Sequence, residues 1–301
     1  MSAQLSLPSR TFGSMSTAMV TPFHPDGSLD IDSAVKVAEK LVGDGCDSLV
    51  LSGTTGESPT THQPEKDELV REVKAAVGDR AMIIAGAGSN DTAHAVRIAE
   101  GAQRSGADGL LVVAPYYNRP SQDGVFAHIT AVADATDLPV LVYDIPGRTG
   151  VTITDDLLDQ LAAHPRIHGV KDATGDVPQG FERMGRTGLE YYSGDDALNF
   201  DWLAHGASGV ISVVGHVVAA DYAEMIREVD EGDLPGARAV AARLRPLVAA
   251  IMGGGQGAVM AKHALHLQGV IAHPTVRLPL VPASEAEIAN LKKVMEEFGY
   301  L

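Results

Sequence analysis

Residues 109–143 read GLLVVAPYYNRPSQDGVFAHITAVADATDLPVLVY. The stretch opens on an apolar run, 109–113, turns through Pro115-Tyr116-Tyr117-Asn118, takes up helical spacing over 124–136 and closes on a second run, 139–143. Strand, helix, strand in that order is a parallel pair, because parallel neighbours need a crossover where antiparallel ones need only a turn. The pattern extends both ways. Further β-rich runs lie at 16–21, 48–52, 81–85, 167–171, 190–193 and 209–213, and helical spacing recurs at 31–42, 65–77, 92–105 and 154–164. Eight strand–helix units in roughly 230 residues predict an α/β protein of the (β/α)8 TIM barrel type, for which ~250 residues is usual. Periodicity alone leaves a doubly wound parallel sheet open.

From residue 233 the pattern holds helices only, at 234–252, 257–267 and 283–298, with Gly253-Gly254-Gly255 and the prolines Pro279 and Pro282 as breaks. We therefore expect a barrel carrying the active site over 1–232 and a C-terminal helical domain over 233–301, packed on the barrel or on another subunit.

The chain has 301 residues, 45% hydrophobic and 21% charged, enough to bury a large core. Its formal charge of −16 opposes a nucleic-acid surface, which needs clustered Lys and Arg. A single cysteine, Cys46, excludes an intramolecular disulfide framework and a cysteine metal cluster. Residues 1–12 lack the apolar core of a secretory signal, and no run approaches the ~20 apolar residues of a membrane span. A cytoplasmic protein without membrane or nucleic-acid partners is the expectation.

In a (β/α)8 barrel the loops after the strands build the active site. Lys171 closes the run 167–171, Tyr143 closes 139–143, Thr54 and Thr55 follow 48–52 inside Gly53-Thr54-Thr55-Gly56-Glu57, Tyr117 follows 109–113, and Arg148 sits in Ile145-Pro146-Gly147-Arg148-Thr149-Gly150. All should share one rim. Lys171 is either a lysine snorkelling to solvent or a nucleophile whose amine, deprotonated by burial, forms a Schiff base with a ketone. Tyr143 and Thr55 are either core-capping and turn residues or a proton relay. Arg148 suits a substrate carboxylate or a surface ion pair. His263 and His266, three apart with no third ligand nearby, read as a solvated helix face rather than a metal site.

Carried by Thr17-Ala18-Met19-Val20-Thr21-Pro22-Phe23, Gly53-Thr54-Thr55-Gly56-Glu57-Ser58, Pro115-Tyr116-Tyr117-Asn118-Arg119-Pro120, residues 143–150 and 169–175, and Ser193-Gly194-Asp195-Asp196, the chain resembles the dihydrodipicolinate synthase family, in its actinobacterial form. That family, the 4-hydroxy-tetrahydrodipicolinate synthases, belongs to the pyruvate-dependent class I aldolases that include N-acetylneuraminate lyase. The resemblance implies a lyase that condenses pyruvate with L-aspartate 4-semialdehyde in diaminopimelate and lysine biosynthesis. It needs no metal or organic cofactor, and it works as a homotetramer, a dimer of tight dimers. Lys171 would form the Schiff base, and Thr55 and Tyr143 the relay, with Tyr117 donated across the tight-dimer interface. Arg148 would bind the semialdehyde carboxylate, while Thr54, Thr55, Gly194 and Ile211 border pyruvate. An aldolase for 2-keto-3-deoxy sugar acids or N-acetylneuraminate, or a non-catalytic keto-acid-binding barrel, are the alternatives; Arg148 and the intact lysine set speak for the synthase.

Feedback-inhibited members of the family bind lysine in a cleft at the tight-dimer interface. The matching positions keep Ser58, Asn90 and Tyr116, but carry Gln63 and Lys66 in place of histidines and His94 in place of an acidic residue. A fixed charge on Lys66 would oppose a cationic effector, so weak or no lysine inhibition is expected. His216, after Ser212-Val213-Val214-Gly215, is a departure from part of the family, and the C-terminal helices diverge most.

Overall fold

The computed structural model describes residues 7–253 and 256–301. Eight parallel strands close into a barrel in chain order: β1 (Met15–Ala18), β2 (Ser48–Leu51), β3 (Met82–Gly86), β4 (Gly109–Val113), β5 (Val140–Asp144), β6 (Ile167–Asp172), β7 (Glu190–Ser193) and β8 (Gly209–Ser212), with β8 pairing back onto β1. The doubly wound alternative is thereby excluded. Helices α1 (Ile31–Gly43), α2 (Gln63–Val77), α3 (Thr92–Arg104), α4 (Gln122–Asp134), the single turn α5 (Pro146–Thr149), α6 (Asp155–Ala162), α7 (Val177–Thr187), α8 (Asn199–Ala204) and α9 (Gly215–Glu231) follow the strands.

The strands are apolar on both faces because both are covered. Outward side chains pack against the helices. Inward ones, among them Phe12, Val50, Ile84, Leu111, Leu141, Tyr192 and Ile211, fill the barrel, with Phe12 plugging the end opposite the strand carboxyl ends and meeting Tyr192 edge-on at 5.9 Å.

Caps explain most of the shifted boundaries. The Ser121 hydroxyl accepts from the Gly124 amide, so α4 starts two residues earlier than its apolar spacing suggests. His62 and Glu65 form a reciprocal cap, which starts α2 at Gln63 rather than at residue 65. β1 stops at Ala18 rather than residue 21, because the chain beyond leaves the sheet and the Val20 amide turns to His216. Helices α5, α7, α8 and α9 lie outside the helical spacings expected from the sequence; α5 and α8 are too short to show a period.

Beyond Gly232, in the left-handed conformation that ends α9, come α10 (Leu234–Val248), π-type turns at Ala249–Gly253, α11 (Gly257–Leu267) and α12 (Glu285–Glu297). The three expected helices are present, the first ending in widened turns just after Pro246. Gly254 and Gly255 of the expected break, and residues 1–6, lie outside the described residues. No helix among the described residues is long and apolar enough to cross a membrane.

Candidate active site at the carboxyl ends of the strands

Strand register sets the centre of the site. Tyr143 of β5 pairs with Lys171 of β6, and Lys171 with Tyr192 of β7. Lys171 is 5% exposed, and its Nζ lies 4.4 Å from the centre of the Tyr143 ring. Burial pulls its amine down to about 8, against the opposing pull of Asp196 and with a smaller push from Arg148. A usable fraction is therefore unprotonated near neutral pH. Burial also pushes the Tyr143 phenol up to about 12, so it stays neutral and able to donate a proton. Gly194 is required by space: a Cβ there would lie 2.9 Å from the Asp172 carbonyl and 3.0 Å from Lys171 Cε.

Thr54, Thr55, Tyr143, Arg148, Lys171 and Gly194 line one cavity of about 240 Å³. Its wall is completed by residues that the sequence did not suggest: Val213, Gln256 to Ala258 and the pair Pro279–Leu280, so the C-terminal segment closes over the barrel mouth. A neighbouring cavity of about 220 Å³ shares Thr54, Tyr143 and Arg148 and reaches Ser58 and Tyr116. A larger cavity, about 710 Å³ between α8, α9 and α10, contains none of Lys171, Tyr143 or Thr55. Arg148 is exposed on α5 and forms no ion pair among the described residues, leaving its guanidinium free at the cavity edge.

Two expected members do not converge. Tyr117 is 88% exposed, has a φ of +73°, and lines neither cavity. The loop after β4 turns away and is pinned by Asn118 Nδ2 donating to the Asn90 carbonyl at 3.0 Å. Ile211 points into the apolar barrel interior, and Val213, two residues on, lines the cavity in its place.

Asp196 ties two loops together behind Lys171. One carboxylate oxygen accepts from the Val213 and Val214 amides at 2.8 and 3.0 Å, and the other from Ser212 Oγ and Asn199 Nδ2. His216 is a second tie, fully buried. The Val20 amide donates to its Nε2 at 3.0 Å, so its proton sits on Nδ1 and is donated to the Val213 carbonyl at 2.7 Å. Burial takes its pKa down to about 4, and it is neutral at working pH.

Helix α11 is not a solvated face. Residues 258–265 are all buried; only His266 of the two histidines is exposed, and burial lowers the pKa of His263. The expectation missed this because two histidines in a row of apolar residues look like a polar stripe only if the helix has an outside. Among the described residues no three His, Cys, Asp or Glu side chains gather as a metal site. Lys262, one residue before His263, is fully buried and salt-bridged to Glu57, which follows the Gly53–Gly56 loop.

Lys66 does not stand free in a cleft. It is 6% exposed, and its Nζ donates to the Ser58 carbonyl at 2.8 Å, Ser58 Oγ at 3.1 Å and Thr61 Oγ1 at 2.6 Å. A buried ammonium must fill its donors, and these three oxygens do so. Burial also pulls it down to about 8, so its charge is not as fixed as expected. Gln63 donates to Asp67, and His94 is exposed beside Ser89.

Among known proteins, the profile of the Dihydrodipicolinate synthetase family matches residues 11–298. The chain is 54% identical over 290 residues to a 4-hydroxy-tetrahydrodipicolinate synthase of Mycolicibacterium paratuberculosis, covering 96% of each chain. Its fold matches the crystal structure of the chloride-inhibited dihydrodipicolinate synthase from Acinetobacter baumannii complexed with pyruvate, with a TM-score of 0.93, 34% identity and coverage of 96% and 100%. It also matches the DHDPS from Cyanidioschyzon merolae with lysine bound, at a TM-score of 0.92, 38% identity and coverage of 97% and 99%.

Proposed function

The chain belongs to the dihydrodipicolinate synthetase family, and from that premise we propose that it is a lyase condensing pyruvate with L-aspartate 4-semialdehyde, through a Schiff base on Lys171, to give 4-hydroxy-tetrahydrodipicolinate for diaminopimelate and lysine biosynthesis. The observation that carries this reading is Lys171 itself: a buried amine at a strand end, its pKa down at about 8, set over the ring of Tyr143.

The neutral amine attacks the pyruvate ketone, a C–N bond forms, and the carbinolamine loses water once its hydroxyl is protonated. Tyr143, a neutral phenol, donates and recovers that proton, with the Thr55 hydroxyl as its relay partner. The iminium acidifies the methyl group, which gives up a proton to the Tyr143–Thr55 relay; the resulting enamine adds to the aldehyde, whose oxygen takes up a proton as the imine reforms. The amino group of the second substrate then attacks the imine carbon, closes the ring and releases Lys171. Arg148 at the cavity edge holds the semialdehyde carboxylate, and Thr54, Thr55 and Gly194 border pyruvate. Ile211 supports this pocket from beneath. Tyr117, exposed at a strained backbone position, suits a residue that completes the relay of a second copy in a tight dimer, itself half of a homotetramer; the mass in solution from sedimentation equilibrium and loss of activity in a Tyr117→Phe variant test this. The reaction belongs in the cytoplasm, where the lone buried Cys46 stays reduced.

The experiment is to incubate the protein with pyruvate, reduce with borohydride and map the modified peptide, then to assay turnover with aspartate semialdehyde. Modification at Lys171 with turnover supports the reading; an unmodified Lys171 in an active enzyme rejects it.

Arg148→Ala should leave pyruvate trapping intact and weaken use of the semialdehyde. A lost charge-assisted contact is worth ~1.5–3 kcal/mol, roughly tenfold to a hundredfold in apparent affinity. Steady-state kinetics in the second substrate check it, and failed trapping in the folded variant would contradict the role. Free lysine should inhibit weakly or not at all, because Ser58 Oγ is engaged by Lys66 and His94 stands where the feedback-inhibited members carry an acidic residue. Initial rates against lysine at sub-saturating pyruvate decide this, strong sub-millimolar inhibition being the contrary result.

A further inference from the structure

One residue beyond Tyr143 and Lys171, the same two strands carry a second pair. Asp144 and Asp172 are in register, and because side chains alternate along a strand they leave the barrel on the face opposite the cavity. Both are 1% exposed. One cation meets them, the buried Arg183 of α7, whose Nη1 stands 3.6 Å from Asp144 Oδ2. Its hydrogen bonds go elsewhere: Nε to Asp155 Oδ1 at 2.8 Å and Nη2 to the Ile153 carbonyl at 2.9 Å. Asp172 Oδ1 accepts from the amide and hydroxyl of Thr174. Both oxygens of Asp144, Asp172 Oδ2 and the Tyr191 hydroxyl on β7 have no hydrogen-bond partner among the described residues.

The surrounding charges do not balance. Asp155 on α6 already shares Arg183; Arg186 on α7 is spent at the surface on Asp155 and Asp159; Asp176, capping α7, adds a further negative charge. A single guanidinium cannot offset two buried carboxylates and Asp155 as well. Burial, and then the charge of Asp172, pushes Asp144 up to about 7 against the pull of Arg183 and the Ile153 amide, and burial raises Asp172 against the pull of Thr174 and Arg183. Neighbouring strands lie only ~4.8 Å apart, and two buried like charges on paired residues favour one group keeping its proton.

We infer that Asp144 and Asp172 share one proton at neutral pH, and that the shared proton holds the ends of β5 and β6 at the spacing that sets Tyr143 against Lys171. They are positioning residues, since neither lines the cavity. When the proton leaves, the two carboxylates repel across the strand pair at the next position from the reacting groups. A carboxyl raised in the folded state binds its proton more tightly there than in the unfolded chain. Its contribution to stability is therefore full below the ordinary value of 3.8, declines as pH rises and levels off above about 7.

The positioning role rests on the Schiff-base reading, but the shared proton does not, so the first measurement uses the resting protein without substrate. Infrared difference spectra across neutral pH should show a protonated-carboxyl band in the wild-type protein that fades as pH rises and is missing from Asp144→Asn and Asp172→Asn. No such band in the wild type, or a band unchanged in both variants, overturns the shared proton. For positioning, Asp144→Asn, whose amide can donate to Asp172 without titrating, should keep kcat, whereas Asp144→Leu should lower it roughly tenfold or more with KM for pyruvate unchanged. Equal kcat in the leucine and wild-type proteins overturns that role. If no pyruvate is trapped even in the wild type, the Schiff-base reading fails while the infrared result stands.

Discussion

Lys171→Arg removes turnover: kcat falls by roughly a thousandfold or more, about 4 kcal/mol in activation free energy, and borohydride no longer fixes pyruvate to the protein. The reason is protonation rather than size. Burial pulls the lysine amine to about 8, within reach of neutral pH, whereas a guanidinium stays charged and has no lone pair to offer a ketone. Arginine also brings a larger cation into a closed site, so Lys171→Met serves as the companion variant, close in volume and without charge. Both should melt as folded proteins and neither should be trapped. Appreciable turnover in Lys171→Met, with its fold intact, would remove the covalent mechanism.

Lys262→Met loses stability at a buried ion pair whose glutamate, Glu57, also lines the cavity. Lys262 of α11 is buried against Glu57, donates to the Thr275 carbonyl at 2.7 Å, and lies 4.2 Å from the centre of the Phe23 ring; Arg277 lies 4.1 Å from the same ring. The Arg277 amide donates to the other Glu57 oxygen at 2.9 Å, and the Arg277 side chain pairs with Glu65. Removing Lys262 leaves the Glu57 charge buried with too few partners, a loss of ~3–5 kcal/mol, or roughly 5–8 °C in melting temperature. Glu57→Gln added to Lys262→Met should recover much of it, because the orphaned charge is gone. Glu57 follows Thr54 and Thr55 and sits at a φ of +54°, so a loosened Glu57 also lets the threonine loop relax. Chemical unfolding of the two single variants and the double variant closes the cycle; a single-variant loss below about 1 kcal/mol would mean the pair contributes little.

Much of this molecule is legible in the chain. Eight apolar runs, each closed by glycine, proline or polar residues and most followed by a helical spacing, specify parallel strands with crossovers, because strand and helix periods are local properties of a few consecutive side chains. Parallel strands all end on one face. That is why Lys171, Tyr143, Thr55 and Arg148, each just past an apolar run, could be expected in one cavity, and the structure does bring them together. Tyr117 follows the same rule in sequence, but the β4 loop turns outward and Tyr117 does not line this chain's own cavity.

What only the tertiary structure decided are the pairings without a period. Glu57 and Lys262 stand 205 positions apart, and no local pattern marks a lone lysine in an apolar helix as the partner of a distant glutamate. Asp144 and Asp172 each look like an ordinary polar residue at a strand end. Their burial and their shortage of cations exist only once β5 and β6 lie side by side and α7 lays Arg183 across them. His263 is inside for the same kind of reason, since whether a helix face meets water depends on what packs against it. Backbone preference and hydrophobic period act over neighbouring residues and so are written in the sequence; the dielectric, charge balance and donor count around a buried group are properties of the assembled fold.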